Sequence, residues 1–133
     1  VYGHSGWGPP LFMKDVFPNA KLVCYFEWFY LAHGSDCDFD PGEPLAFDDE
    51  LRIRLKNAPL LLDLASCDRG LCPTHWQKQQ FPPEFQAKLT VLHDGVDTSF
   101  FQPNPGAKLV LPTVNLNLSH VDEVVTYVAR GME

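Results

Sequence analysis

The stretch Lys21-Leu22-Val23-Cys24-Tyr25-Phe26-Glu27-Trp28-Phe29-Tyr30 decides the fold. From Lys21 to Phe29 it is dense in β-branched, aromatic and apolar residues, with one carboxylate, and reads as a buried strand. Upstream, Val1-Tyr2 reads as the end of a strand and His4 to Pro10 as a loop. Leu11 to Phe17 then reads as a short helix that places Leu11, Phe12, Val16 and Phe17 on one face and stops at Pro18-Asn19. A helix between two strands makes a parallel βαβ crossover the natural connection.

Downstream the same alternation continues. His33 to Phe47 is acidic, carries glycine and two prolines, and reads as an exposed loop. Asp48 is placed to cap a helix from Asp49 to about Lys56, and Asn57 a second from Ala58 to about Ser66, with Pro59 in its first turn. Arg69 to Leu71 is a short strand. Thr74 caps a helix over His75 to about Gln80, which Phe81-Pro82-Pro83 breaks, and Glu84 to Gln86 forms one more turn. Leu89 to Leu92 is a strand, His93-Asp94-Gly95 a turn, and Lys108 to Leu111 a small edge strand. Glu123 to Ala129 is the last strong strand. The predicted class is therefore α/β, a mostly parallel sheet with flanking helices. Such sheets bind ligands beyond the carboxyl ends of their strands, which directs attention to the residues after each strand.

Composition bounds the function. A chain of 133 residues is one domain or part of one. With 45% hydrophobic and 20% charged residues it is not disordered, collagen-like or a coiled coil. A net charge of −7 gives no general attraction to nucleic acid or anionic membrane. No stretch approaches the roughly 20 apolar residues of a membrane helix. Val1 opens directly into strand-like sequence with neither an initiating Met nor a signal peptide, so a mature or excised piece is expected. The four cysteines, Cys24, Cys37, Cys67 and Cys72, form no CxxC and read as reduced thiols, two or three of them buried. A Cys67–Cys72 disulfide is weakly motivated. GxSxG, Walker A, HExxH and GxGxxG patterns are absent. Asn117-Leu118-Ser119 is a formal glycosylation sequon with no other sign of secretion beside it.

Several strand-end segments carry chemistry. His4-Ser5-Gly6-Trp7-Gly8 combines an imidazole, a hydroxyl, two glycines that let a ligand approach the backbone, and a flat indole suited to a sugar ring. Glu27 interrupts an aromatic run, where a carboxylate in dry surroundings is costly unless paired, and such positions tend to be functional with a raised pKa. The simpler alternative pairs Glu27 with a Lys or Arg. Asp36, Asp38 and Asp40 alternate with the spacing of metal ligands, yet Pro41 stands where a calcium loop needs glycine and Phe47 where it needs glutamate, so a solvated acidic loop is expected. His75 and Trp76 open a helix whose N-terminus suits an anion, although capping by Thr74 explains the pattern as well.

The ordered set His4-Ser5-Gly6-Trp7-Gly8, Tyr25-Phe26-Glu27-Trp28-Phe29-Tyr30, Pro73-Thr74-His75-Trp76-Gln77, Phe81-Pro82 and His93-Asp94-Gly95-Val96-Asp97 resembles family 4 glycosyltransferases, and more narrowly a bacterial group with HxGWG and PTxWQ motifs. The resemblance covers nearly the whole chain. It implies the GT-B fold, two Rossmann-like domains facing across a cleft. Residues 1–120 then correspond to the C-terminal part of the N-terminal, acceptor-side domain, and 121–133 to the first strand of a truncated donor-side domain.

The resemblance further implies retaining transfer of a sugar from a nucleotide-diphosphate sugar to an acceptor hydroxyl, with no cofactor and no bound metal. Arg130 matches the arginine that holds the donor diphosphate, although Ala129 replaces the usual glycine. Where many members carry a histidine after the strand matching Leu22 to Phe26, this chain has Glu27, so either Glu27 or His4 meets the reacting sugar. The implied assignments are Glu27 and His4 as catalytic, Ser5, Gly6, Trp7, Gly8 and Thr74 as acceptor-binding, and Arg130, Asp94 and Gly95 as donor-binding. The intact enzyme is expected to take a glycan or lipid-linked acceptor in the cytoplasm or at the inner membrane. The piece alone is expected to be inactive and to self-associate through exposed sheet edges, including the Glu123 to Ala129 strand. The rival reading is a stand-alone α/β carbohydrate- or partner-binding module. A flavodoxin-like or response-regulator-like domain ranks lower, because neither an acidic cluster nor a phosphate loop follows the first strand.

Overall fold

The computed structural model describes residues 1–120 and 123–126. They fall into two compact units, Val1–Gly95 and a second that begins at Val96.

The first unit is a four-stranded, all-parallel sheet in the order β1 (Tyr2–His4), β2 (Val23–Tyr25), β3 (Arg69–Cys72), β4 (Leu89–Val91). Between the strands run α1 (Met13–Val16), α2 (Phe47–Ser66), α3 (His75–Gln80) and α4 (Pro83–Gln86). The chain is therefore α/β, a partial Rossmann-like layer of parallel strands with flanking helices. Register aligns Gly3, Cys24, Gly70 and Leu89 across one row and His4, Tyr25, Leu71 and Thr90 across the next. Each strand is followed in space by its sequence neighbour, so right-handed crossovers place every helix on one face. Burial follows that geometry. Cys24, Cys72 and Leu89 are buried with Leu60 and Leu64 of α2, Phe81, and Phe26 and Phe29 just past β2. Tyr2 and Thr90, on the other face, are exposed.

The expected long strand over Lys21 to Phe29 is only three residues, Val23–Tyr25. The ladder stops there because β1 ends at His4, level with Tyr25. Two more bonds, from the Ser5 amide to the Tyr25 carbonyl at 2.9 Å and from the Phe26 amide to the Leu71 carbonyl at 2.7 Å, hold the exit. Beyond it the chain turns, so that Phe26 and Phe29 enter the core while Glu27 faces outward.

The two helices expected over Asp49 to Ser66 are one helix of 20 residues. Asn57 is not a cap. It is buried in mid-helix, where its amide donates to the Tyr30 carbonyl at 2.6 Å and accepts from the Tyr30 amide at 3.0 Å. Asp48 is not a cap either: the N-cap is Ala46, and Asp48, Asp49 and Glu50 occupy the first turn, where negative charge favours the helix dipole. Pro59 removes one helical hydrogen bond, to the carbonyl of exposed Leu55. Burial of Ile53, Leu60 and Leu64 along one face, with Asn57 bonded to Tyr30, outweighs that loss.

At the amino edge of the sheet, Asp68 accepts from the Leu22 amide at 2.7 Å and pairs with Lys14 at 2.7 Å and Lys21 at 3.6 Å. The Leu22 amide, followed by Lys14, holds its carboxyl well below the usual range. All four cysteines are free thiols, with Cys24, Cys67 and Cys72 buried and Cys37 partly so, and no Cys67–Cys72 disulfide forms.

In the second unit, β5 (Val110–Leu111) and β6 (Leu116–Asn117) pair antiparallel around a short 3-10 turn, Pro112–Val114, with Asn115 at φ +51°. Residues 123–126 are without regular structure, so this part of the expected Glu123 to Ala129 strand does not form; Tyr127, Val128, Ala129 and Arg130 lie outside the described residues. Among the described residues, no helix is long and apolar enough to cross a membrane.

Candidate functional site

Because all four strands of the first unit run the same way, the residues after them share one rim. His4 closes β1, Glu27 lies two residues past β2, Thr74 two past β3 and Asp94 three past β4.

The rim opens into a cavity of about 410 Å3 lined by His4, Ser5, Gly6, Trp7, Glu27, Trp28, Tyr30, Lys56, Pro59 and Leu60. That volume lies within the range of small-molecule sites, about 300–1,000 Å3. The centre of the arrangement is an acid–imidazole pair. His4 Nδ1 lies 2.6 Å from the Ser5 carbonyl, which only accepts, so Nδ1 carries a proton. His4 Nε2 is thereby turned to Glu27 Oε2 at 3.2 Å, and because a carboxylate oxygen also only accepts, a hydrogen bond there needs a proton on Nε2 as well. The ring also packs against Tyr25 at 5.2 Å and edge-on to Trp7 at 6.0 Å between centroids. The sequence left His4 and Glu27 as alternatives, and the fold brings them together. The expectation of a carboxylate in dry surroundings does not hold: the Glu27 side chain is 59% exposed, and its partner is His4 rather than a Lys or Arg. Turning outward past the last ladder bond is what wets it.

Neighbouring strand ends brace this pair. The Tyr25 hydroxyl donates to the Asp94 carboxylate at 2.9 and 3.0 Å. Burial, and next the adjacent Asp94, push the Tyr25 phenol up to about 12. Thr74 caps α3, accepting from the Gln77 amide at 3.1 Å and donating to Gln77 Oε1 at 2.6 Å. Gln77 Nε2 in turn donates to the Glu27 carbonyl at 3.0 Å. Thr74 and Asp94 thus stand one residue removed from the cavity, reaching it through Gln77 and Tyr25. Gly95 sits past Asp94 at φ +82°, its amide bonded to His93 Nδ1 at 2.9 Å. Gly8 is exposed beside Trp7 and does not line the cavity. Arg130 lies outside the described residues.

The helix-side wall was not legible as a site. Lys56 stands 5.1 Å from the centroid of the Tyr30 ring, on the cavity side of α2. Nothing in its local sequence distinguishes it from any helical lysine. Behind the wall, Asp63 is 1% exposed and accepts from the Ser5 hydroxyl at 2.6 Å. Desolvation pushes its carboxyl up against the opposing pull of Ser5. A lone carboxylate inside Ala58-Pro59-Leu60-Leu61-Leu62-Asp63-Leu64-Ala65 was the available signal.

The acidic loop has the local self-capped form expected of a solvated turn. Asp38 accepts from the Gly34 and Ser35 amides and Asp40 from the Gly42 amide. Among the described residues, no group of three or more His, Cys, Asp or Glu side chains is arranged to hold a metal ion.

Comparison with known proteins agrees with this architecture over most of its length. The family model described as Glycosyl transferase family 4 group matches residues 1–101, which include the whole rim described above. No curated protein and no solved structure matches the chain. With about three-quarters of its length matched, including the parallel α/β layer and its carboxyl rim, the chain belongs to the glycosyl transferase family 4 group.

Proposed function

We propose that the cavity is the acceptor side of a glycosyl-transfer cleft, and that the reaction moves a hexosyl group from a nucleotide-diphosphate sugar to an acceptor hydroxyl with retention. The observation that carries this reading is the His4–Glu27 pair, 3.2 Å apart at the mouth of a cavity that also holds Trp7. Trp7 is 70% exposed, and its indole offers an apolar face on which a sugar ring can stack. Glu27, whose exposed carboxylate has acceptor sites beyond the one facing His4 Nε2, is the group that can accept the acceptor hydroxyl's proton, with His4 holding it in place. Holding that hydroxyl against the anomeric carbon is the main task of this wall. Stabilising the departing diphosphate calls for basic residues, for which Arg130 is the candidate. Gly95 and Asp94 belong to the same rim and would face the donor. No metal is invoked for these steps. The bacterial HxGWG and PTxWQ group is the nearest setting for this set of motifs, with glycan biosynthesis at or near a membrane as the physiological context.

The experiment is steady-state transfer by the intact enzyme, varying donor and acceptor separately. Trp7→Ala is expected to raise the acceptor KM by about 3–10-fold, the loss of one aromatic contact, with the donor KM unchanged. His4→Ala and Glu27→Gln are expected to lower kcat by about 100-fold or more, the usual contribution of a positioned acid–base group. Equal loss of donor and acceptor affinity in Trp7→Ala would remove Trp7 from the acceptor wall. Full kcat in both His4→Ala and Glu27→Gln would sink the reading.

A further inference from the structure

The buried carboxyl of Asp63 lies outside the cavity and takes no part in the reading above. It sits on the inward face of α2 with Leu60 and Leu64, at 1% exposure. Among the described residues its Oδ2 has one partner, the Ser5 hydroxyl at 2.6 Å, and its Oδ1 has none. A buried carboxyl with a single hydrogen bond returns less stability than its desolvation costs, and an apolar side chain of similar size would serve the core at least as well. The cost points to a task elsewhere.

The partner it holds identifies the task. Ser5 is tied twice. Its amide donates to the Tyr25 carbonyl at 2.9 Å, which continues the ladder between β1 and β2, and its hydroxyl is tied to Asp63. Together these bonds set the direction of the next peptide group, whose carbonyl accepts from His4 Nδ1 at 2.6 Å. The following residue, Gly6, is at φ +89° and does not itself restrain that peptide. We propose that Asp63 is the positioning residue of the His4–Glu27 pair: through Ser5 it aims the carbonyl that accepts from His4 Nδ1 and so turns Nε2 toward Glu27. This rests on the reading of His4 and Glu27 as the reacting pair, and it adds a residue on α2 to the machinery without a contact to substrate.

The test reads the Nδ1–H of His4 directly, by 1H–15N correlation on the imidazole of the 133-residue chain. The native protein is expected to show this proton far downfield and slow to exchange, as a 2.6 Å bond to a carbonyl requires. In Ser5→Ala the hydroxyl is lost while the amide bond to Tyr25 remains, and exchange of the Nδ1 proton with water is expected to quicken about five-fold or more. Asp63→Leu should do the same, whereas Asp63→Asn, whose amide oxygen still accepts from Ser5, should keep the native spectrum. Should Asp63→Leu fail to fold, the Ser5→Ala and Asp63→Asn pair decides alone. A native Nδ1–H signal in folded Ser5→Ala overturns the proposal, as does its loss in Asp63→Asn. The failure of the underlying reading looks different: His4→Ala would then transfer sugar at the native rate, while the Nδ1–H results stood unchanged.

Discussion

Gly70 is where the sheet is most exposed to a one-atom perturbation. It lies in mid-β3, in register with Cys24 on one side and Leu89 on the other, and a Cβ built there falls 2.8 Å from Cδ2 and Cε2 of Phe26 and also meets Leu89. Carbons at rest stand roughly 3.5–4.0 Å apart, so Gly70→Ala requires a shift of about 1 Å. Phe26 has nowhere to go: it is 0% exposed and packed edge-on against Phe81 at 5.6 Å. Overpacking of this kind costs about 1–3 kcal/mol. In a domain of this size each kcal/mol lowers Tm by about 4–8 °C, so a fall of roughly 5–20 °C is expected. Urea and thermal denaturation of the purified chain measure it, with the urea m-value unchanged because the folded surface is the same. Phe26→Leu in the Gly70→Ala background should recover part of the loss, a coupling of about 1 kcal/mol. Because Phe26 immediately precedes Glu27, the same variant should weaken the His4–Glu27 contact. A Gly70→Ala protein that melts within about 1 °C of the native one would refute the packing argument.

The Tyr25 phenol, raised to about 12 by burial and Asp94, stays a donor throughout the neutral range. Since its folded value lies above the ordinary 10, its stabilising contribution is complete below about pH 10 and lost as pH rises through 12; ultraviolet titration should show Asp94→Asn moving the transition back toward 10. Cys37, the only partly exposed thiol, should alkylate first with iodoacetamide, while burial that pushes Cys72 up to about 11, together with the burial of Cys24 and Cys67, delays all three until unfolding. Mass spectrometry of partially labelled protein reads that order, and early labelling of Cys72 would contradict it. Thr74→Ala should cost about 1 kcal/mol as the lost cap of α3, and it frees Gln77 from its 2.6 Å bond, so transfer should weaken beyond the stability loss; urea titration beside kinetics separates the two.

Three of the first unit's four strand ends were readable from the sequence because they are punctuated: Gly6 soon after His4, Pro73 after Cys72, and Gly95 after Asp94. That punctuation placed His4, Thr74 and Asp94 on one rim, whereas no glycine or proline marks the end of β2 before Glu27. What local signals misjudged was continuity. Asn57 and Pro59 look like a helix start, yet the buried row of Ile53, Leu60 and Leu64 runs through them and keeps α2 whole. The apolar run after Tyr25 looked like more strand, but a strand extends only as far as its neighbours supply partners, and β1 ends level with Tyr25. The His4–Glu27 bond joins residues 23 apart in sequence, and the Ser5–Asp63 bond residues 58 apart. No local pattern encodes such meetings; they follow from the strand register and from which face α2 turns inward.

Trp7 stands between Gly6 at φ +89° and Gly8 at φ +93°, backbone angles that few side chains tolerate. A Cβ on Gly6 would also press on Leu60 at 3.3 Å, whereas one on Gly8 would meet only open space. The indole is therefore carried between two positions that only glycine fills without strain, one of them crowded as well. Altered acceptor preference should accordingly be sought by exchanging the aromatic at position 7 itself, since a side chain at Gly6 would disturb the wall behind it and one at Gly8 would strain the backbone that presents the ring.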